Sequence, residues 1–215
     1  EIAFGEATYH CDRLGIQAQP GTPEARLLNW FFEKTLSGDI ITEQNIHTLD
    51  VMNWVMGVPP LLATGTGGRK VRVDVGDCWD HFAVLYQYPN GVGITFSSRQ
   101  FAGYGTPEGI KNRMFGSKGV LETEYGGNVM IRGENSYRGG KTPQIYYEGA
   151  AQNVKTFYDN IVGKKFDNPT VAPSVASNRI TILGRTAAYE NRQVSWEENL
   201  RSESRMEPDL KGLKA

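Results

Sequence analysis

Apolar residues between positions 39 and 57 recur at helical spacing. Ile46, Leu49, Val51, Met52, Val55 and Met56 occupy most of the circumference of one predicted helix. The remaining face carries Glu43, His47, Asp50 and Trp54, which at 3.6 residues per turn fall within roughly 60° of arc. Gly57 closes the helix and Pro59-Pro60 follow it, while Thr42 starts it, or Asp39 if it is one turn longer. A helix so surrounded by apolar side chains is expected to be buried, and buried charge has to be paired or used.

Upstream, residues 1–10 read as a strand and residues 11–21 as a loop. Thr22-Pro23-Glu24 is a helix start, with Thr as cap, Pro at the first helical position and an acid in the first turn. Leu28, Phe31, Phe32 and Thr35 continue that helix to Gly38. From Leu61 the period changes to two. Lys70–Val75 predicts an edge strand, and 80–88 and 92–98 predict a hairpin about Pro89-Asn90-Gly91. Two short strands at 120–125 and 128–132 follow, then a Gly/Ser/Tyr-rich excursion at 133–149. Val154, Phe157 and Ile161 predict a helix ended by Gly163, and a second helix runs from Pro173 to near Asn191, before a charged, fraying tail after Trp196.

Helices, then hairpin-joined strands, then helices describe an α+β fold: a largely antiparallel mixed sheet with helices packed on one face. The Gly65-Thr66-Gly67-Gly68 run is followed by Arg69 and a predicted strand, so it is no dinucleotide-binding turn, which needs a helix N-terminus.

Composition narrows the function classes. The 215 residues, 39% hydrophobic and 22% charged, suit one large soluble globular domain, and a formal net charge of −1 without basic clusters argues against nucleic acid. No apolar run reaches the ~18–20 residues that span a membrane. Cys11 and Cys78 are too few for a disulfide framework and read as free thiols. With His10 and His81 they lack the spacing of a structural zinc site, and Glu43-xxx-His47 lacks the second His of HExxH, so no metal is expected.

Glu43 in the first turn favours an ionised carboxylate, and His47 one turn on can pair with it, which suits an imidazole that takes or gives a proton near neutral pH. Asp50 lies on the other side, placed to orient the ring or hold a hydroxyl. An acid–base His between carboxylates suits oxidation of a polyol or sugar; a buried network that merely stabilises the helix accounts equally well for the same residues.

Beyond these physical readings, the segment from Ser37 to Trp54, with Leu28-Asn29-Trp30-Phe31-Phe32 before it, closely resembles the C-terminal half of the Gfo/Idh/MocA oxidoreductases. Further matches are Gly65-Thr66-Gly67-Gly68-Arg69, Asp80-His81-Phe82, Tyr88-Pro89-Asn90-Gly91-Val92, Arg99-Gln100, Phe115-Gly116-Ser117-Lys118-Gly119 and Gly184-Arg185-Thr186-Ala187-Ala188-Tyr189. The resemblance implies a C-terminal substrate-binding and oligomerisation domain over residues 1–215, of the glyceraldehyde-3-phosphate-dehydrogenase-like kind. It implies His47 as the catalytic acid–base and Glu43 as the acid one turn before it, where Asp is commoner in the family. Asp50, Trp30, Arg99 and Gln100 become candidates for substrate contact. NAD or NADP and a catalytic Lys belong to a Rossmann domain absent from these residues, so the chain alone is expected neither to turn over substrate nor to bind the cofactor tightly. Its abrupt start at Glu1 agrees with a C-terminal fragment.

The implied partners are a sugar or polyol, the missing Rossmann domain and further copies of the chain through the open sheet face, where Tyr86, Tyr88, Thr95 and Ser97 are expected to be exposed. Relatives with the Glu-Gln-Asn-x-His pattern are often exported by twin-arginine signals. The resemblance thus implies a periplasmic site if such a signal lies upstream and a cytoplasmic one otherwise. Two rival readings stand beside this one: an NAD-dependent glycosidase that oxidises its sugar transiently, and a non-catalytic sugar-binding or scaffold domain.

Overall fold

The computed structural model describes residues 1–107, 109–141, 144–167, 169–209 and 211. Part of the predicted 133–149 excursion and the end of the charged tail lie outside the described residues. Nine strands form one mixed sheet: β1 (Ile2–Cys11), β2 (Leu62–Gly68), β3 (His81–Gln87), β4 (Gly93–Gln100), β5 (Gly109–Gly116), β6 (Gly119–Glu124), β7 (Asn128–Gly133), β8 (Tyr137–Lys141) and β9 (Val194–Ser195). Their order is β8-β7-β6-β5-β1-β4-β3-β2-β9, and every pairing is antiparallel except β1 with β4. This is the α+β, largely antiparallel architecture expected from the sequence.

Alternation in the central strands separates two faces. Ala7, Tyr9, Ile94, Phe96, Phe82, Val84 and Tyr86 point inward and are buried under helices α4 (Ile46–Met56) and α6 (Val171–Glu190). Ile180, Leu183 and Ala187 repeat along α6 and complete that core. Gly184 lets α6 lie close on the sheet, because a Cβ there would stand 2.1 Å from the Tyr86 hydroxyl oxygen.

Tyr86 and Tyr88 therefore belong to the core and not to the open face predicted for them. Tyr86 is opposite Ile94, and its hydroxyl donates to the Ile180 carbonyl at 3.2 Å. Thr95 is exposed and Ser97 half-buried on the other face.

Several local predictions change. The first helix is three pieces: α1 (Ala25–Leu28), a 3-10 turn at Trp30–Phe32 and α2 (Lys34–Ser37), closed by Gly38 at φ 80°. Asn29 breaks it. Its buried side chain accepts from the Gln17 amide at 2.8 Å and donates to the Ala18 carbonyl at 2.6 Å, which ties the turn to the preceding loop.

The predicted strand at 70–75 is a loop. The amides of Lys70, Val71 and Arg72 all donate to Oδ2 of buried Asp80 (2.6–2.9 Å), so they are lost to strand pairing. The Arg72 guanidinium, itself buried, donates to the carbonyls of Val75, Cys78 and Trp79. Four strands went unpredicted: the two-residue β9, and β2, β5 and β8, which each contain at least two glycines that obscure the period of two. The excursion ends in helix α5 (Ile145–Val162), longer than expected, and the tail after Trp196 begins as helix α7 (Trp196–Arg201), capped by Ser195.

Candidate functional site

The segment at 39–57 is two helices. Asp39, at φ 74° and fully buried, caps α3 (Ile40–Glu43) by accepting from the Ile40 amide at 2.7 Å. It also receives the Tyr189 hydroxyl at 2.5 Å and the Trp79 amide at 3.3 Å. Burial raises the Asp39 pKa, against these hydrogen bonds and the nearby Arg185 guanidinium. The chain then turns at Gln44-Asn45 before α4 begins. Glu43 thus ends one helix and His47 opens the next.

Among the described residues no hydrogen bond joins Glu43 to His47. Glu43 is half-buried, its Oε2 has no partner, and burial alone raises its pKa. His47 is exposed, and its ring lies 6.3 Å from that of Tyr125, centroid to centroid, tilted by 32°. Tyr125 in turn meets Tyr146 of α5 edge-on at 6.1 Å. Burial, then the neighbouring Tyr146 hydroxyl, pushes the Tyr125 pKa up to about 12. Beneath these groups Tyr9 of β1 is buried; its pKa is driven well above the usual tyrosine value by burial first, then by Cys11, Tyr125, Tyr146 and Glu43 around it.

The other predicted residues take varied places. Asp50 is exposed and accepts from Ser177 of α6 at 2.5 Å, a bond between α4 and α6 and not one to His47. Gln100 is buried; its amide donates to Gln44 Oε1 at 2.9 Å, and its own Oε1 has no donor. Cys11 lies 3.8 Å from the same Gln44 oxygen, so the residue after Glu43 meets both Cys11 and Gln100. Arg99 faces the other side of the sheet, where it donates to the carbonyls of Cys11 and Phe101. Trp30 is partly exposed on the 3-10 turn, with Phe31 edge-on at 6.1 Å. Trp54, 82% exposed, completes neither the site nor the core.

Glu43, Gln44, His47 and Gln100 thus come together. Tyr9, Cys11, Tyr125 and Tyr146 join them unpredicted. The alternation of β1 placed Tyr9 and Cys11 on the inner face with Ala7, but nothing in the sequence ties Tyr125 and Tyr146 to His47. The unpartnered Glu43 Oε2 and Gln100 Oε1 are both acceptors, and both are shut off from the surface. Among the described residues no group of three or more His, Cys, Asp or Glu could hold a metal ion. Gly65, Gly67 and Gly68 lie within β2, so this run does not form the strand-to-helix turn that holds a dinucleotide pyrophosphate.

Comparison with known proteins agrees with this geometry. Residues 7–122 match the model of the GFO/IDH/MocA C-terminal domain. Inositol 2-dehydrogenase of Rhizobium meliloti (strain 1021) is 29% identical over 90 residues, 41% of this chain and 27% of that protein. Levoglucosan dehydrogenase in complex with NADH and levoglucosan superposes with a TM-score of 0.66 at 15% identity, over 90% of this chain and 58% of that one. Aldose-aldose oxidoreductase from Caulobacter crescentus, complexed with glycerol, gives 0.66 at 17% identity over 90% and 55%. The chain thus spans just over half the length of these solved structures. With the C-terminal-domain model of the family covering more than half of the chain, and the fold shared with the solved structures, the protein belongs to the Gfo/Idh/MocA oxidoreductase family.

Proposed function

We propose that these 215 residues are the substrate-binding and oligomerisation half of an NAD(P)-dependent oxidoreductase acting on a hydroxyl of a sugar, polyol or glycoside. The observation that carries this reading is an accessible imidazole, His47, close to a half-buried carboxylate whose inner oxygen has no donor. Oxidising a secondary alcohol to a carbonyl releases a hydride and a proton. His47 takes the hydroxyl proton as general base, and the Glu43 carboxylate accepts a hydrogen bond from a neighbouring hydroxyl, while buried Gln100 supports the site from beneath by holding Gln44. The hydride acceptor, a nicotinamide, is held by a dinucleotide-binding domain outside these 215 residues.

The named relatives support the substrate class, since one is an inositol dehydrogenase and another was solved with levoglucosan and NADH. In the protein carrying its dinucleotide-binding domain, His47→Ala lowers kcat for sugar oxidation by about 10²–10⁴-fold, the usual worth of a general base. Unchanged turnover would leave only a binding or scaffold role. The isolated chain is expected to give no heat with NAD at micromolar concentrations in calorimetry.

The open face of the sheet is the proposed contact between copies. It carries stacked Phe4 and Phe115 (4.4 Å), exposed Thr95, and an ion-pair row in which Arg113 reaches both Glu6 (3.4 Å) and Glu122 (2.9 Å). Thr95→Arg places a bulky charge at the middle of this face. Sedimentation should then shift to a smaller species.

A further inference from the structure

The two edges of the sheet are built unequally. At one edge, β8 carries Arg138 and Lys141 and pairs with β7 across a register shift between Val129 and Met130. Charge and a bulge of this kind keep an edge from pairing with another chain. At the other edge, the two-residue β9 covers only Leu62 and Ala63 of β2. Thr64 to Gly68 have a neighbouring strand on the β3 side alone, and they contain no charge, no proline and no bulge. Among the described residues no backbone group bonds to the outer edge of this stretch.

Packing within the chain accounts for the glycines here: a Cβ on Gly65 would stand 2.9 Å from Val84, and one on Gly67 2.4 Å from the His81 carbonyl. It does not account for the open edge, whose unpaired N–H and C=O groups are a template for a further strand. We propose that the edge at 64–68 pairs with the same edge of a second copy, antiparallel about a twofold axis at Thr66, so that two nine-stranded sheets join into one. This contact is separate from the open-face contact proposed above and depends neither on it nor on the reaction.

Register and charge single out a second copy as the occupant. Thr64 of one copy lies opposite Gly68 of the other, and exposed Thr66 opposite its own counterpart, a Thr–Thr pair that favours strand pairing. β9 blocks the ladder beyond Ala63, so the Arg69-Lys70 step of each copy turns out beside the β9 end of the other. There Glu190 (2.6 Å) and Glu198 (3.0 Å) are gathered on Arg192, and Glu197 stands next to them in the first turn of α7. The basic step is held in place: the Lys70 amide donates to Asp80 at 2.9 Å, and Arg69 Nη2 to the Val73 carbonyl at 2.8 Å. A twofold axis uses this basic-to-acidic match twice. A uniformly basic or acidic peptide strand would meet one of the two groups with its own sign. Five paired residues make a small contact, so the association is reversible and concentration-dependent.

Sedimentation velocity over a concentration series tests the pairing in the Thr95→Arg background, where the open-face contact is disabled. That chain is expected to form a dimer as its concentration rises, with the amides of 64–68 gaining protection from hydrogen exchange in step. Thr66→Lys sets like charges opposite each other and should weaken the dimer at least about tenfold. Lys70→Glu and Glu197→Lys, both at exposed positions, should each weaken it severalfold. Mixing these two variants restores both matches across the axis, so the mixed dimer should return to the parent affinity. A monomer throughout the series, which leaves the edge to a strand of another protein, would overturn the proposal. So would a dimer indifferent to Thr66→Lys, or a mixture no tighter than its separate components. Protection of 64–68 that does not change with concentration would show that the edge is covered within one chain, and the pairing would fall with it.

Discussion

Glu43 is the residue whose surroundings differ most from its sequence context. One turn before an imidazole it was expected to be an ionised partner; in the structure it is half-buried, without a donor at Oε2, and its pKa is raised by that burial. The folded chain therefore holds this proton more tightly than the unfolded chain. Its stabilising contribution is complete below the unfolded pKa and is lost as pH rises through the folded value. Glu43→Gln removes the dependence. At about pH 3.5, below the ordinary Glu value of ~4.3, parent and variant should melt alike; at about pH 7.5 the variant should melt higher, by calorimetry. An equal or lower melting temperature at the higher pH would show that Oε2 has a partner in solution. The identity of the acid and the His was legible from spacing and resemblance. Their environment was not, because Tyr9 and Gln100 on β1 and β4, and Tyr125 at the turn after β6, are distant in sequence.

At the scale of elements, the long, strongly periodic segments were readable and the breaks were not. Helices α4 and α6 and the hairpin of β3 and β4 fall where the periodicity put them. The break at Asn29 and the loop at 69–79 arise from side chains that bind backbone groups, a competition that hydrophobic patterning does not register. Asp80 is the clearest case. Burial works against its charge, yet the hydrogen bonds from His81 and the three loop amides outweigh it and hold its pKa below the usual range. Asp80→Ala leaves three amides without their acceptor and should cost on the order of 3 kcal/mol, with early proteolysis between residues 69 and 79. Resistance of that loop to protease in the variant would mean that Arg72 alone staples it. Asp39→Ala should cost about 1–2 kcal/mol as a lost cap. It also releases Tyr189, whose ring stacks on Trp79 at 3.7 Å.

Over the whole molecule, the apolar surface is unevenly covered. Helix α5 has no buried residue, and Tyr146, Val154, Phe157 and Ile161 lie along one stripe of it, all at least half exposed. A continuous stripe of this kind exceeds the scattered apolar residues normal on a protein surface. The isolated chain should accordingly bind a hydrophobic dye. Phe157→Lys with Ile161→Lys should reduce the dye signal severalfold while moving the melting temperature by no more than ~2 °C, since neither side chain is in the core. A large fall in melting temperature would show that the stripe is packed in solution.

The strand order has a kinetic side as well. β1 alone hydrogen-bonds the group β8-β7-β6-β5 to the group β4-β3-β2-β9, with Phe4 opposite both Gly93 and Phe115. β1 leaves the ribosome before every strand it joins and must therefore wait for partners made much later. The centre of the sheet closes only through contacts of high order, which places refolding in the slow, millisecond-to-second regime. Until that closure, two half-sheets expose the edges of β4 and β5 to other chains, so yield on refolding should fall with concentration more steeply than stability alone would suggest.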